Sequence, residues 1–205
     1  MTQLDLGTSP LANPAPFSRV VAVAASTGGL KALSTILSGL PSDFGAPMIV
    51  VQHLSPSYPS QMAAILSRRT SLHVKQAEEG DRLYSGVVYL APPKHHLLVN
   101  QAGLYLSDAE RVHFTRPAAD PLFESVAQQF RQQAIAVVLT GGNGDGAWGA
   151  QVIKQMGGKV IAQDQATSEH FGMPSAAIQT GVVDWILPIE AIAPKLITLI
   201  TTGAM

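Results

Sequence analysis

Continuously apolar runs alternate with amphipathic segments along most of this chain. Runs at 19–25, 47–52 and 134–139 have the length and uniform apolarity of strands that are buried on both faces of a parallel sheet. A helical pattern follows the first run, with apolar residues three or four positions apart: Leu30, Leu33, Ile36, Leu37 and Leu40. This alternation of strand and helix patterns predicts βα units, and therefore an α/β fold.

The remaining segments continue the alternation, except for one segment in which short β-rich runs replace it. Short β-rich runs between turn residues fill 72–117, which we predict to form a β-hairpin insertion. Asp120 and Pro121 are typical of the N-cap and first position of a helix. The other predicted elements are a helix around 58–69, a helix at 146–156, a strand at 159–164, a short helix after Pro174 and a helix through 188–200. The predicted fold is a three-layer αβα domain with a mainly parallel, doubly wound sheet.

The length and composition are typical of one globular domain. The chain has 205 residues, of which 46% are hydrophobic and 13% charged. Residues 1–18 are rich in Pro, Ser, Asn and other turn formers and have no helix or strand period. We therefore expect a flexible leader or linker remnant at 1–18 and the folded domain at 19–205.

Charge, apolarity and cysteine content exclude several partners and chemistries. The formal net charge is -1 and no long basic cluster is present, so no nucleic acid partner is expected. No apolar stretch approaches the roughly 18 to 20 residues that span a bilayer, so we expect no direct membrane insertion. Cysteine is absent, which excludes disulfides and cysteine nucleophiles. We expect a cytoplasmic protein whose nucleophile, if it has one, is an oxygen or a lysine.

Three residues that suit acyl transfer follow three of the apolar runs. Ser26 comes directly after the first run, His53 directly after the second, and Asp145 lies in a glycine-rich loop after the third. If these runs are neighbouring parallel strands, their carboxyl ends open onto one crevice. A serine nucleophile needs a base to take its proton, and the base needs a carboxylate to orient it. The pattern predicts a serine hydrolase, although each residue alone also fits a capping or strand-end role.

Main-chain donors close to these residues would bind the oxyanion of such a reaction. Thr27 lies in the turn between Ser26 and the following helix, and Gly142 lies in the loop that carries Asp145. The N–H groups of Thr27 and Gly142 are therefore predicted to contribute to an oxyanion hole. Trp148, just after this loop, is expected to be buried in the core.

The same glycine-rich loop supports a second interpretation. Gly144, Gly146 and Gly149 match the spacing of the dinucleotide-binding fingerprint, and Asp164 follows at the expected distance. Against this interpretation, the fingerprint normally opens the first βαβ unit of its domain, whereas two units precede it here. The sequence has no HExxH motif and no spaced cluster of His or carboxylate residues, so no metal is expected.

Taken together, the motifs resemble those of a known family. The chain contains, in the order and approximate spacing of the catalytic domain of chemoreceptor protein-glutamate methylesterases (the CheB family), the segments ASTGG, VVQH, GDRLYSGVVYLAPPKHHLLV, LTGGNGDGAWG and QDQATSEHFGMPSAA. The resemblance extends from residue 19 to the region of residue 200. It implies that Ser26 is the nucleophile, His53 the base and Asp145 the orienting carboxylate, and that no cofactor is required.

The resemblance also implies a substrate. It would be the γ-methyl ester of glutamate side chains in the methylated cytoplasmic region of a chemoreceptor or a similar helical signalling protein, with possible deamidation of receptor glutamines. The family's usual LTGMGxDG reads LTGGNGDG here, with Gly142 in place of methionine and Asn143 in place of glycine. In the family a receiver domain precedes the catalytic domain, so this chain is either a stand-alone enzyme or a fragment.

Two alternatives to this function remain open from the sequence. The first is a nucleotide-binding α/β oxidoreductase that uses the glycine-rich loop. The second is a non-catalytic receptor-binding module of the same fold.

Overall fold

Strands and helices alternate along the chain much as the apolar pattern predicts. In this computed structural model, which describes residues 17–53 and 60–202, the strands are β1 (Val20–Ala25), β2 (Met48–Gln52), β3 (His73–Gln76), β4 (Val87–Leu90), β5 (His96–Asn100), β6 (Gly103–Ser107), β7 (Ala134–Val138), β8 (Lys159–Gln163) and β9 (Trp185–Leu187). The helices are α1 (Gly29–Ser38), α2 (Met62–Ser67), α3 (Ala119–Phe130), α4 (Ala147–Gln155), α5 (Gly172–Gln179) and α6 (Ile189–Thr202).

Seven of these strands form one parallel sheet in the spatial order β3-β4-β2-β1-β7-β8-β9. β1 lies between β2 and β7, so the chain builds the sheet outward from β1 in both directions. β5 and β6 form a separate antiparallel hairpin. The predicted fold class is confirmed: a three-layer α/β domain with a mainly parallel, doubly wound sheet and a β-hairpin.

The two faces of the sheet belong to two different cores. Val21 and Val23 of β1 pack in the core shared with α1, α2 and α6, whereas Ala22 and Ala24 pack in the core shared with α3, α4 and α5. Successive side chains of a strand point to opposite faces, so burial on both faces requires a strand that is apolar at every position. The predicted strands are thus uniformly apolar because helices cover both faces of the sheet.

The structure differs from the sequence expectation in the segment between β2 and α3. β3 and β4 pair in parallel with each other, and β4 also pairs with β2, so both belong to the central sheet. The hairpin is therefore confined to 96–107, and the insertion predicted over 72–117 was too long. Pairing between distant segments decided this, and runs of four residues carry too little local pattern to show it.

The ends of two predicted helices also moved. The second helix is Met62–Ser67 rather than 58–69, and residues 54–59 lie outside the described part of the chain. The helix expected after Pro174 begins at Gly172, so Pro174 sits in its first turn, where a missing N–H breaks no helical hydrogen bond.

The amino-terminal boundary is described only in part. Residues 1–16 lie outside the described residues, so the division into 1–18 and 19–205 stays a prediction. Phe17 packs against Phe130, with ring centroids 5.9 Å apart. None of the described helices is long and apolar enough to cross a bilayer.

Candidate active site

Ser26 and His53 occupy neighbouring positions at the carboxyl edge of the sheet. Ala25 pairs with Gln52 in the β1–β2 register, and each candidate residue is the next one along its strand. The Ser26 N–H donates to the Thr140 carbonyl (2.9 Å), and the His53 N–H donates to the Ala25 carbonyl (3.0 Å). These bonds extend the sheet pattern past the last strand residues, so the main chain of both residues is held by the sheet itself.

His53 is hydrogen-bonded to Asp145 across the crevice. Its Nε2 lies 2.7 Å from Oδ2 of Asp145, whose side chain is fully buried. The carboxylate also accepts main-chain N–H groups from Ala119 (2.6 Å) and Asp120 (3.0 Å). Because Nε2 is bonded to the carboxylate, Nδ1 is the ring nitrogen that is left to exchange a proton with a substrate or a nucleophile.

The surroundings of Asp145 favour its ionised form. Burial alone would raise the pKa of this carboxyl group, but hydrogen bonds from His53, Ala119 and Asp120 more than offset burial and hold the pKa below its ordinary value of 3.8. An ionised carboxylate fixes the tautomer of the imidazole and stabilises its positive charge. The pair therefore has the chemistry of a base and its orienting group.

Asp120 has a different role from the one the sequence suggested. Ala118, not Asp120, is the N-cap of α3, and Asp120 lies inside the helix. Its Oδ1 accepts the N–H groups of Gly146 (2.9 Å) and Gly149 (2.7 Å), at the start of α4. The N-cap prediction for Asp120 was wrong because the carboxylate binds the amino end of another helix, one that is distant in sequence.

Burial and a neighbouring charge act together on Asp120. Burial raises the pKa of Asp120, and the negative charge of Asp145 raises it further, against the lowering effect of hydrogen bonds from Gly149 and His113. His113 Nε2 lies 2.9 Å from Asp120 Oδ2. The two carboxylates and two histidines thus form one connected network.

Two residues that the sequence analysis missed hold the turn between β1 and α1 in place through hydrogen bonds. Gln52 Nε2 donates to the carbonyls of Ser26 (2.7 Å) and His53 (3.1 Å). Thr140 Oγ1 donates to the Thr27 carbonyl (2.8 Å) and accepts the His170 N–H (2.9 Å). A polar side chain at the end of an otherwise apolar strand, as in VVQH and VVLT, was the available signal.

The predicted oxyanion donors are free within the described part of the chain. The N–H of Ser26 is bonded to Thr140, and that of Gly141 to the His170 carbonyl. The N–H groups of Thr27 and Gly142 have no acceptor among the described residues. Gly28 beside them has φ 81°, a left-handed conformation that turns the chain sharply from β1 into α1.

Two openings adjoin the predicted catalytic residues. An open groove of about 530 Å³ lies beside Ser26, and apolar Leu30 and Ile65 contribute to its wall. A smaller cleft of about 120 Å³ is lined by His53 and by residues of the segment before α3. Ser26 and His53 can therefore be reached from solvent.

The same carboxylates are the candidates for a metal site within the described residues. His113, Asp120 and Asp145 present ligand-type atoms within 4.8 Å of one another. Oδ2 of Asp145 is bonded to His53 and Ala119, and Oδ2 of Asp120 to His113. The arrangement serves as a hydrogen-bond network, since a metal would have to displace these bonds.

The dinucleotide interpretation is not favoured. The N–H groups of Gly146 and Gly149, which would have to face a pyrophosphate, are bonded to the Asp120 carboxylate. Asp164, the expected ribose ligand, accepts from the main-chain N–H (3.0 Å) and hydroxyl (2.6 Å) of Thr167. Trp148, in the first turn of α4, is half-exposed, so its predicted burial in the core was wrong.

The chain is similar to proteins of one family. The sequence model of the CheB methylesterase family matches residues 21–196. The chain is 44% identical over 183 residues to a protein-glutamate methylesterase/protein-glutamine glutaminase of Anaeromyxobacter dehalogenans. The aligned part is 88% of this chain and 54% of that relative. The chain is 40% identical over 180 residues to a putative protein-glutamate methylesterase/protein-glutamine glutaminase of Leptospira interrogans, with 87% and 93% covered.

A solved structure shows the same fold. The crystal structure of the Thermotoga maritima CheB methylesterase catalytic domain matches with a TM-score of 0.86 at 38% identity, covering 88% of this chain and 98% of that chain. The present chain thus spans about half the length of the Anaeromyxobacter relative and nearly all of the Leptospira one.

Proposed function

Because this chain belongs to the CheB methylesterase family, we propose that it hydrolyses the γ-methyl esters of glutamate side chains on a chemoreceptor or a similar helical signalling protein. The observation that carries the proposal is the 2.7 Å bond between His53 and the buried Asp145, with Ser26 beside His53 in the strand register. The methylated segments of such a partner lie in the cytoplasm, where the enzyme would act, without inserting into the membrane.

In the proposed acylation step, Ser26 Oγ attacks the ester carbonyl carbon while His53 Nδ1 takes the hydroxyl proton. Asp145 stabilises the imidazolium that forms, and the N–H groups of Thr27 and Gly142 bind the oxyanion. When the tetrahedral intermediate collapses, His53 gives its proton to the methoxide, which leaves as methanol.

In the second half-reaction a water molecule attacks the acyl-enzyme, with His53 again as the base. A second tetrahedral intermediate collapses to release the glutamate carboxylate and return the proton to Ser26. These steps need no cofactor. Attack on a glutamine side chain would follow the same path with ammonia as the leaving group, and the relatives named protein-glutamate methylesterase/protein-glutamine glutaminase favour this second activity.

Methanol release from a methylated chemoreceptor tests the proposal. Ser26→Ala should lose nearly all methanol release. Without the nucleophile, only the oxyanion donors and substrate binding remain, and they support a small fraction of the wild-type rate. A Ser26→Ala variant that retains full activity would exclude this mechanism.

A serine-directed organophosphorus probe distinguishes the enzyme from a non-catalytic module of the same fold. Mass spectrometry should find the label on Ser26 in the wild type and not in His53→Ala, since only an activated serine reacts. An unlabelled wild-type Ser26 would favour the binding module.

A further inference from the structure

A tight turn in front of α3 holds a phenylalanine almost fully in solvent. Val112 and Thr115 exchange main-chain hydrogen bonds (3.2 and 2.9 Å), so His113 and Phe114 are the two central residues of the turn. Both have positive φ, 49° and 63°, which is uncommon for residues with bulky side chains. Phe114 is 96% exposed, far more than any other large apolar side chain recorded among the described residues.

The turn is fixed rather than loose. His113 is bonded to Asp120, which lies inside α3, at 2.9 Å. Arg116 Nη1 donates to the carbonyls of Asp108 (2.6 Å) and Ala109 (2.8 Å). Strained conformations persist where the surroundings hold them, and they concentrate at functional sites. The surroundings here hold a single apolar ring in water, and the held, strained turn that presents it is the observation from which a contact with a partner is argued.

The turn also borders the cleft that is lined by His53. The cleft of about 120 Å³ is lined by seven residues: His53, Lys94, Arg111, Phe114, Thr115, Arg116 and Pro117. Three of them are cations and none is an acid. Lys94 and Arg111 are exposed, and no ion pair is recorded for either within residues 17–53 and 60–202. The electrostatic complement of this cleft is a segment that carries carboxylates.

We propose that Phe114, Lys94 and Arg111 form a docking surface for the substrate, an acidic amphipathic helix that carries the esterified glutamate. Phe114 packs on an apolar strip of that helix, and the two cations pair with carboxylates one helical turn from the ester. Residues three or four apart lie about 5 to 6 Å from each other on one helix face. Ser26 and His53 follow paired residues of neighbouring strands, and His53 lines the cleft, so with the ester at Ser26 a neighbour one turn away reaches the cleft. This inference rests on the proposed function and names its substrate class.

Two synthetic helical peptides test the docking surface. Each carries one glutamate γ-methyl ester, flanked one turn away on both sides by glutamates in the first peptide and by glutamines in the second. For the wild type we expect kcat/KM, from methanol release, to be about 5- to 10-fold higher on the glutamate-flanked peptide at low salt. The preference should shrink as salt screens the charges.

Variants assign the preference to these residues. The double variant Lys94→Gln, Arg111→Gln should lose the preference between the peptides, and Phe114→Ser should lower kcat/KM on both. Arg131→Gln and Met156→Ser are matched controls, since both residues are exposed and lie toward the amino-terminal edge of the sheet, away from the carboxyl ends of β1 and β2. All four variants should keep the wild-type melting temperature, which verifies folding, and the two controls should also keep the wild-type rate of p-nitrophenyl acetate hydrolysis.

A binding measurement separates this inference from the proposed function. Fluorescence anisotropy of both peptides, labelled, with the inactive Ser26→Ala protein reports docking without turnover. Equal affinities for the two peptides, or a preference that survives the Lys94, Arg111 double variant, would overturn the docking surface even if the wild type releases methanol. Absence of methanol release by the wild type from both peptides and from methylated receptor would overturn the proposed function instead.

Discussion

Asp120 and Asp145 each bind the start of a helix that is next to the other carboxylate. Asp145 binds the start of α3, which contains Asp120, and Asp120 binds the start of α4, which follows Asp145. The Asp145 carboxylate accepts the N–H groups of Ala119 and Asp120 in the first turn of α3. The Asp120 carboxylate accepts the N–H groups of Gly146 and Gly149 at the start of α4, directly after Asp145. Each carboxylate sits at the positive end of a helix dipole, and together they fix the position of α3 and α4 relative to each other. The orientation of the carboxylate that holds His53 therefore depends on Asp120.

Replacement of Asp120 should affect the rate more than substrate binding. Asp120→Ala leaves two buried N–H groups without an acceptor and releases the Asp145 loop, and misplacement of a catalytic group by about 1 Å costs on the order of 100-fold in rate. We expect kcat for p-nitrophenyl acetate to fall by about this factor with little change in KM.

The conservative variant and a neighbour provide the controls. Asp120→Asn keeps an oxygen that accepts from Gly146 and Gly149, so it should restore much of kcat. Glu124→Ala, on the same helix, should be close to wild type. A fall in kcat that is equal for Asp120→Ala and Asp120→Asn would contradict the positioning role of this oxygen.

Asp145 should make stability depend on pH in the acid range. Its folded pKa lies below the ordinary value of 3.8, so its contribution to stability is fully present above that value and is lost as pH falls through the folded pKa. In urea titrations at descending pH, the free energy of unfolding of the wild type should fall below about pH 4, and Asp145→Asn should lack this part of the slope.

Asp120 contributes with the opposite sign. Its folded pKa is raised, so its contribution is present below the ordinary value and is lost as pH rises through the folded pKa. Asp145→Asn also removes the charge that helps to raise this pKa. A variant slope identical to that of the wild type would show that folding does not lower the pKa of Asp145.

Gln52 should be needed to hold the nucleophile and the base together. Its amide donates to the carbonyls of Ser26 and His53, and it is buried. Gln52→Met keeps the side-chain volume but removes both bonds, so we expect the free energy of unfolding to drop by about 1 to 3 kcal/mol and kcat to fall. Gln52→Glu, which sets a carboxylate oxygen against the two carbonyl oxygens, should be worse. Gln179→Met, at an exposed position of α5, is the control. Unfolding by urea and hydrolysis of p-nitrophenyl acetate report the two effects.

Gly28 and Gly142 should respond differently to the same substitution. An alanine at Gly28 would keep a φ of 81° and bring its Cβ to 2.8 Å from Glu169 Cβ. Gly28→Ala should therefore lower the free energy of unfolding by at least about 1 to 2 kcal/mol and disturb the turn of Ser26. Nothing lies within 4 Å of a Cβ at Gly142, so Gly142→Ala and the family's residue, Gly142→Met, should keep the melting temperature and the activity. Thermal melts with activity assays measure both, and a large loss of stability in Gly142→Ala would contradict this reading.

The sequence by itself determined the parallel sheet and the gathering of Ser26 and His53 at one edge of it. A strand covered on both faces must be apolar throughout, and this shows in the residues of β1, β2 and β7 without any other information. Polar residues directly after such strands lie at the carboxyl edge of the sheet, so Ser26 and His53 come close together once β1 and β2 are neighbours.

Only the tertiary structure decided the hydrogen bonds that position the residues of the predicted site. Whether Asp120 caps its own helix or α4, whether Gln52 ties two carbonyls, and whether β3 and β4 join the sheet depend on how distant segments pack. The exposure of Phe114 results from a turn that is held by the Asp120 side chain and by the carbonyls of Asp108 and Ala109, contacts that the strand and helix patterns of the sequence do not show. Local propensity reports the cost of a conformation at one residue, whereas a hydrogen bond between residues 26 positions apart exists only after the chain has folded.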